Sequence, residues 1–273
     1  MIQNSPLLPG MIDSHFHYME MQKKGIDSTK IIKECFDAGM EAMIDISTST
    51  SNYDARLQFA LQNKNLFISS GISPGKAENQ IEEIEKMLEV LETQIIDAKT
   101  TKRLIAIGEI GLDWYWKHGT PEKQIFLFEK QLELANKYDL PVIIHNREAD
   151  KEVLNILKKK APSRGGILHC FSSDYSFALS CIDLGFFISF AGNVTYKKNR
   201  TLLEAAKRVP VSSILVETDS PYLSPREVRE IPNNPAFVGY TYKFIAEQRG
   251  EDINSFVLSV KDNFGCLFGE LLQ

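Results

Sequence analysis

The chain has 273 residues, enough to bury roughly three quarters of its unfolded surface in one domain. Its 43% hydrophobic and 25% charged residues are those of an ordinary globular protein, and no apolar stretch approaches the about 18 residues needed to cross a bilayer. A net charge of −5 argues against coating long nucleic acid non-specifically, yet leaves room for an enzyme that grips a few phosphates through metal ions and a local basic rim. The opening Met1-Ile2-Gln3-Asn4-Ser5-Pro6 lacks the basic and apolar regions of a signal peptide. Cys35, Cys170, Cys181 and Cys266 share no CxxC spacing and read as isolated thiols, which fits a reducing cytoplasm better than a disulfide framework.

Eight short runs rich in Ile, Val, Leu and Phe recur along the chain, at 11–13, 42–46, 66–70, 104–107, 142–144, 166–168, 186–189 and 214–216. Continuous apolar runs of this length predict strands covered on both faces, as in a parallel sheet. Helical patterns separate most of them. Ile81, Ile84, Met87, Leu88, Leu91 and Ile95 form a three-to-four residue stripe in a charged stretch, where the acidic run 82–85 reads as a solvated helix face. Phe126, Leu127, Lys130, Leu134 and Tyr138 set the next helix, which ends before Leu140-Pro141. Lys158-Lys159-Lys160 closes a later helix, where cations favour the dipole. Strand–helix alternation repeated eight times predicts an α/β fold, a (β/α)8 TIM barrel. With no repeat, low-complexity tract or Gly/Ser linker, residues 1–273 read as one domain.

Active sites of such barrels gather at the C-terminal ends of the strands. The first run leads into His15-Phe16-His17, where alternation puts two imidazoles on one side of a strand end. The fourth leads into Gly108-Glu109-Ile110-Gly111-Leu112-Asp113, the fifth ends in His145, the sixth in His169, and the eighth in Glu217-Thr218-Asp219-Ser220-Pro221-Tyr222. A lone histidine at a strand end is more often a hydrogen-bonded core residue than a ligand, but five strand ends together make coincidence improbable. Four imidazoles and two carboxylates are too many donors for one ion with an open position. They suit two ions about 3.5–4 Å apart with a carboxylate between them. His118, in the turn-rich Trp116-Lys117-His118-Gly119-Thr120, reads as no ligand. Alternation turns Cys170 away from whatever His169 serves, so it reads as a small buried thiol. Glu217 shares a face with Asp219 and either joins the ligands or supports them from behind.

These segments resemble the TatD-type metal-dependent deoxyribonucleases, with Gly108–Asp113 and the run from Glu217 to Leu223 the most specific and Asn234-Pro235 and residues 263–269 also similar. The resemblance spans nearly the whole chain and keeps the motif order. It implies a metal-dependent hydrolase acting on phosphodiester bonds of DNA, as a nuclease or exonuclease, with water activated by two divalent ions. His15, His17 and Asp219 would bind one ion, His145 and His169 the other, and Glu109 would bridge them. Asp219 would orient the attacking water or accept its proton, so Asp219 and Glu109 are the expected catalytic residues. Imidazole-rich ligation favours Zn²⁺, Mn²⁺ or Co²⁺, whereas the family is often Mg²⁺-dependent. The expected partner is DNA, single-stranded or at ends, with no membrane; a monomer is compatible with the site.

Two departures stand out. After the third run the family commonly shows Gly-x-His-Pro, but this chain reads Gly71-Ile72-Ser73-Pro74-Gly75, so a substrate-side histidine is missing. The segment after Tyr222 is short, with Arg226 and Arg229 either reaching a phosphate or serving as surface residues. Asp113, Trp114, Tyr115 and Trp116 follow Glu109 as the rim of the pocket, where the aromatic rings either stack an unpaired base or pack over the barrel mouth. Asn146 and Arg147 stand where they can touch a phosphate, and Lys197-Lys198-Asn199-Arg200 is a further basic-rim candidate. The alternative enzyme is a metallo-amidohydrolase or esterase acting on a small molecule or an aminoacyl-tRNA ester, since the rim sets the substrate. Relatives of that kind use a carboxylated lysine as the bridge, where this chain has Glu109.

Overall fold

The computed structural model describes residues 5–269; Met1–Asn4, part of the stretch read as lacking a leader, lie outside the described residues. Eight strands alternate with helices: β1 (Ile12–Phe16), α1 (Tyr18–Lys23), α2 (Ser28–Asp37), β2 (Ala42–Asp45), α3 (Tyr53–Leu61), β3 (Leu66–Ser70), α4 (Ile81–Lys99), β4 (Leu104–Asp113), α5 (Pro121–Tyr138), β5 (Val142–Arg147), α6 (Asp150–Lys160), β6 (Gly166–Leu168), α7 (Tyr175–Ile182), β7 (Phe186–Phe190), α8 (Arg200–Arg208), β8 (Ile214–Val216), α9 (Val238–Arg249) and α10 (Ile253–Phe268). The strands are ordered β1 to β8 as in the chain, and every described ladder is parallel. No helix among the described residues is long and apolar enough to cross a membrane.

Contacts divide the described chain into two compact units. The first comprises residues 5–45, 169–179 and 187–266. Here β1 pairs with β2 and β7 with β8, and a bridge from Phe16 to Ser220 ties the end of β1 to the segment after β8. Tyr242 of α9 clasps β1, its hydroxyl accepting from Ile12 N–H at 3.1 Å and donating to Ile12 O at 3.2 Å. The second unit comprises residues 46–168, 180–186 and 267–269, and carries the run β3-β4-β5-β6. A register shift between Gly108 and Ile110 sets how the end of β4 meets β5.

The helices follow their sequence signals. Thr120 caps α5 and Pro121 fills its first turn, where the missing N–H costs nothing. The chain leaves α5 through Asp139 in the left-handed region, just before Leu140-Pro141. Helix α4 buries Ile84, Leu91 and Ile95 and leaves Glu82, Glu83 and Glu85 exposed, while Lys158, Lys159 and Lys160 fill the last turn of α6. The buried face of α5 differs from the expected stripe. Gln124, Leu127, Phe128, Gln131, Leu132 and Ala135 are buried, whereas Phe126 and Leu134 are half-buried and Lys130 is exposed. The reason is polar: Gln131 accepts from Ile72 N–H at 2.7 Å and donates to Ile72 O at 2.9 Å, pairing backbone groups of the loop after β3.

Candidate metal centre

In the first unit, β1 delivers His15 and His17 at its end, and the segment after β8 comes back onto them. Asp219 N–H donates to His15 O at 2.9 Å and His17 N–H to Ser220 O at 2.8 Å. Thr218 donates twice to Asp13, N–H to Oδ1 at 2.9 Å and the hydroxyl to Oδ2 at 2.6 Å. This zipper places Asp219 in the left-handed region at φ 54°, a conformation that aspartate adopts more readily than most residues. Its carboxylate is thereby turned towards the histidines.

Three donor atoms meet there. His15 Nε2 and His17 Nε2 face each other at 3.2 Å, and Asp219 Oδ1 lies 3.6 Å from the first and 3.4 Å from the second. Donors bound to one ion at about 2.1 Å in tetrahedral directions stand about 3.4 Å apart, so these separations match the edges of a coordination shell. Two imidazoles and a carboxylate also form a donor set that borderline-soft divalent ions accept. The residues present therefore fit a divalent metal ion.

His169, directly after β6, stacks on His15 with ring centroids 3.9 Å apart and planes 9° from parallel. Its Nδ1 lies 3.4 Å from Glu217 Oε1, which also accepts from Cys170 N–H at 2.8 Å. His15, His169 and Glu217 offer donor atoms within 4.8 Å of one another. Glu217 is wholly buried, and burial raises its pKa, as does the charge of Asp219, with His169 opposing. Burial likewise pushes Asp13 up to about 8 against the hydrogen bonds from Thr218. Carboxyl groups held this deep take up a proton unless positive charge lies close by.

In the second unit Glu109 and His145 come together on the adjacent strands β4 and β5. His145 Nδ1 is 3.0 Å from Glu109 Oε1, and its Nε2 is 2.9 Å from Asp113 Oδ2. One edge of the ring thus shares space with a candidate ligand carboxylate, and the other is held by a supporting one. Asp113 Oδ1 accepts from Trp116 N–H at 2.8 Å. Burial is the largest single influence on the Asp113 carboxyl and raises its pKa, but the bonds from His145 and Trp116 and the charge of Arg147 outweigh it, so the net shift is downward. Gly111 makes the arrangement possible: at φ 139°, any Cβ there would lie 2.0 Å from His145 O.

Several supports lay outside the expected ligand set. Asp113, expected at the rim, is a buried partner of His145, and Gln124 grips its backbone by accepting from Asp113 N–H at 2.8 Å and donating to Asp113 O at 3.0 Å. Alternation along β4 puts Asp113 on the side of Glu109 and Gly111, but the β4–β5 register is what brings it to His145. His118 pairs through Nδ1 with Glu78 at 2.8 Å, beside Gly75. Arg226 pairs with Glu227 at 3.1 Å, and Arg229 lies 4.7 Å over the ring of Tyr196. Lys197 and Lys198 are exposed. Cys35, Cys170, Cys181 and Cys266 are all free thiols.

The family model described as TatD related DNase matches residues 12–269. An uncharacterized metal-dependent hydrolase of Buchnera aphidicola subsp. Baizongia pistaciae is 32% identical over 94% of this chain and 96% of its own. The 3'-5' ssDNA/RNA exonuclease TatD of Erwinia amylovora is 31% identical over 89% of this chain and 94% of its own. Among solved structures, the TatD homologue YJJV of Escherichia coli superposes with a TM-score of 0.88 at 28% identity, covering 96% of this chain and 99% of that one. The fold is thus the (β/α)8 barrel expected from the strand–helix alternation.

Proposed function

The chain belongs to the TatD-related DNase family of metal-dependent hydrolases, and from that premise we propose that it hydrolyses phosphodiester bonds of DNA, at single strands or strand ends. In this reading His15, His17, Asp219, His145, His169 and Glu109 would hold two divalent ions, Zn²⁺, Mn²⁺, Co²⁺ or Mg²⁺. The observation that carries it is the trio of donor atoms from His15, His17 and Asp219, mutually 3.2–3.6 Å apart. The nuclease name of the Erwinia amylovora relative supports the substrate class.

When bound, the ions supply Lewis acidity to a phosphate oxygen and lower the pKa of a water from 15.7 to about 7 in the most favourable sites. The chain's own residues do the rest. Asp219, its backbone pinned to His15 O, orients the attacking water and accepts its proton. Glu109, beside His145, would be the carboxylate ligand that the two ions share. Glu217 and Asp113 hold His169 and His145 in fixed orientations from behind. The near-complete burial of His15, His17 and His169 keeps bulk water from the reacting groups. The four free thiols favour a reducing compartment, and we place the protein in the cytoplasm.

The test is incubation of metal-reconstituted protein with end-labelled single-stranded and duplex oligonucleotides, with Asp219→Ala beside it. A ladder that shortens from one end and is missing in the variant is the expected result. No cleavage with any divalent ion, together with turnover of an ester or amide panel, would replace this reading with the amidohydrolase one.

A further inference from the structure

Trp116 and Tyr115 are the two most exposed aromatic rings among the described residues, at 60% and 47%. They meet edge to face, centroids 5.0 Å apart and planes at 89°. The Arg147 guanidinium lies 3.9 Å over the Tyr115 ring and 5.5 Å from that of Trp116. The surface is rigidly built. Trp114 N–H donates to Arg147 O at 2.9 Å, and Trp116 N–H donates to the Asp113 carboxylate that holds His145. Two wet aromatic rings and an arginine therefore stand one carboxylate away from His145.

This chemistry selects its occupant. An exposed ring offers a π-face, and stacking on it tolerates any base. A guanidinium placed over an aromatic ring keeps N–H groups to offer, and their fork matches a phosphate. An aliphatic partner has no use for the cation, and a base paired inside a duplex has no free face to offer.

We propose that Trp116 and Tyr115 form a stacking platform for an unpaired base of single-stranded nucleic acid, with Arg147 contacting the phosphate of the stacked nucleotide. The proposal rests on the phosphodiesterase reading above and assigns its substrate: a strand whose bases are unpaired where it enters the site.

The chain has two tryptophans, Trp114 and Trp116, so in a Trp114→Phe background Trp116 is the sole indole emitter. Metal-reconstituted protein of this background is titrated with an oligothymidylate carrying hydrolysis-resistant phosphorothioate linkages. Saturable quenching is expected, whereas an abasic strand with the same backbone and a blunt duplex leave the emission unchanged. Adding Trp116→Ala to otherwise wild-type protein should weaken binding of the strand, followed by its fluorescent end label, by about 5- to 150-fold. Trp116→Phe, which keeps a π-face, should recover most of it. Equal binding by parent and Trp116→Ala, or equal quenching by the abasic strand, overturns the platform. The two readings fail separately. A natural strand that binds and quenches but is cut with no divalent ion sinks the nuclease reading and leaves the platform. A strand cut with the same kcat/KM by Trp116→Ala sinks the platform alone.

Discussion

Asp113 accepts from the His145 ring on one oxygen and from Trp116 N–H on the other, which leaves that imidazole a single orientation. Its backbone is gripped in turn by Gln124. A carboxylate behind a ligand histidine fixes the tautomer and raises ligand basicity, and losing it typically weakens metal binding about 10- to 100-fold. Asp113→Asn is therefore expected to weaken metal affinity by that order while leaving the far-ultraviolet spectrum unchanged. Competition with a chromogenic chelator measures it, and an unchanged dissociation constant would remove Asp113 from the site. His15 and His17 were legible one residue at a time, because strand alternation alone puts them on one face. The role of Asp113 was not, because it depends on which residue of β5 stands opposite β4.

At the scale of elements, α5 is the most instructive. Its C-terminal end followed from Leu140-Pro141, but its buried face is centred on Gln124 and Gln131 rather than Phe126 and Leu134. A hydrophobic stripe cannot reveal a glutamine buried to satisfy a loop. Gln131→Ala would leave both backbone groups of Ile72 without their partner, costing about 1–3 kcal/mol. Urea unfolding should show a lower midpoint at unchanged slope, and an equal midpoint would mean that the loop finds other partners. The same limit applies to β4 and β5. The register shift at Gly108/Ile110 and the close approach at Gly111 bring Glu109 and Asp113 onto either side of the His145 ring. Nothing in the apolar run 104–107 specifies that shift.

For the whole molecule, the facing imidazoles and the Asp219 carboxylate of the first unit give an ion a way to stabilise the folded chain. An ion that binds only the folded chain adds about 2.7 kcal/mol at one hundred times its dissociation constant. Chelation is accordingly expected to lower the midpoint of a single cooperative thermal transition, and Zn²⁺ or Mn²⁺ in excess to restore it. A midpoint indifferent to chelator would argue against a site loaded in the native state, and two separate transitions would divide the chain into two domains. By itself the sequence determined the eight strand–helix repeats, because continuous apolar runs and helical stripes are local patterns that burial must honour. It also marked the strand-end histidines and acids, since alternation fixes their face. Only the tertiary structure decided that Asp219 turns back onto His15 and His17, that Glu217 and Asp113 stand behind His169 and His145, and that Arg147 lies over Tyr115. Each of those depends on backbone hydrogen bonds and strand register between residues distant in the chain, which no local pattern encodes.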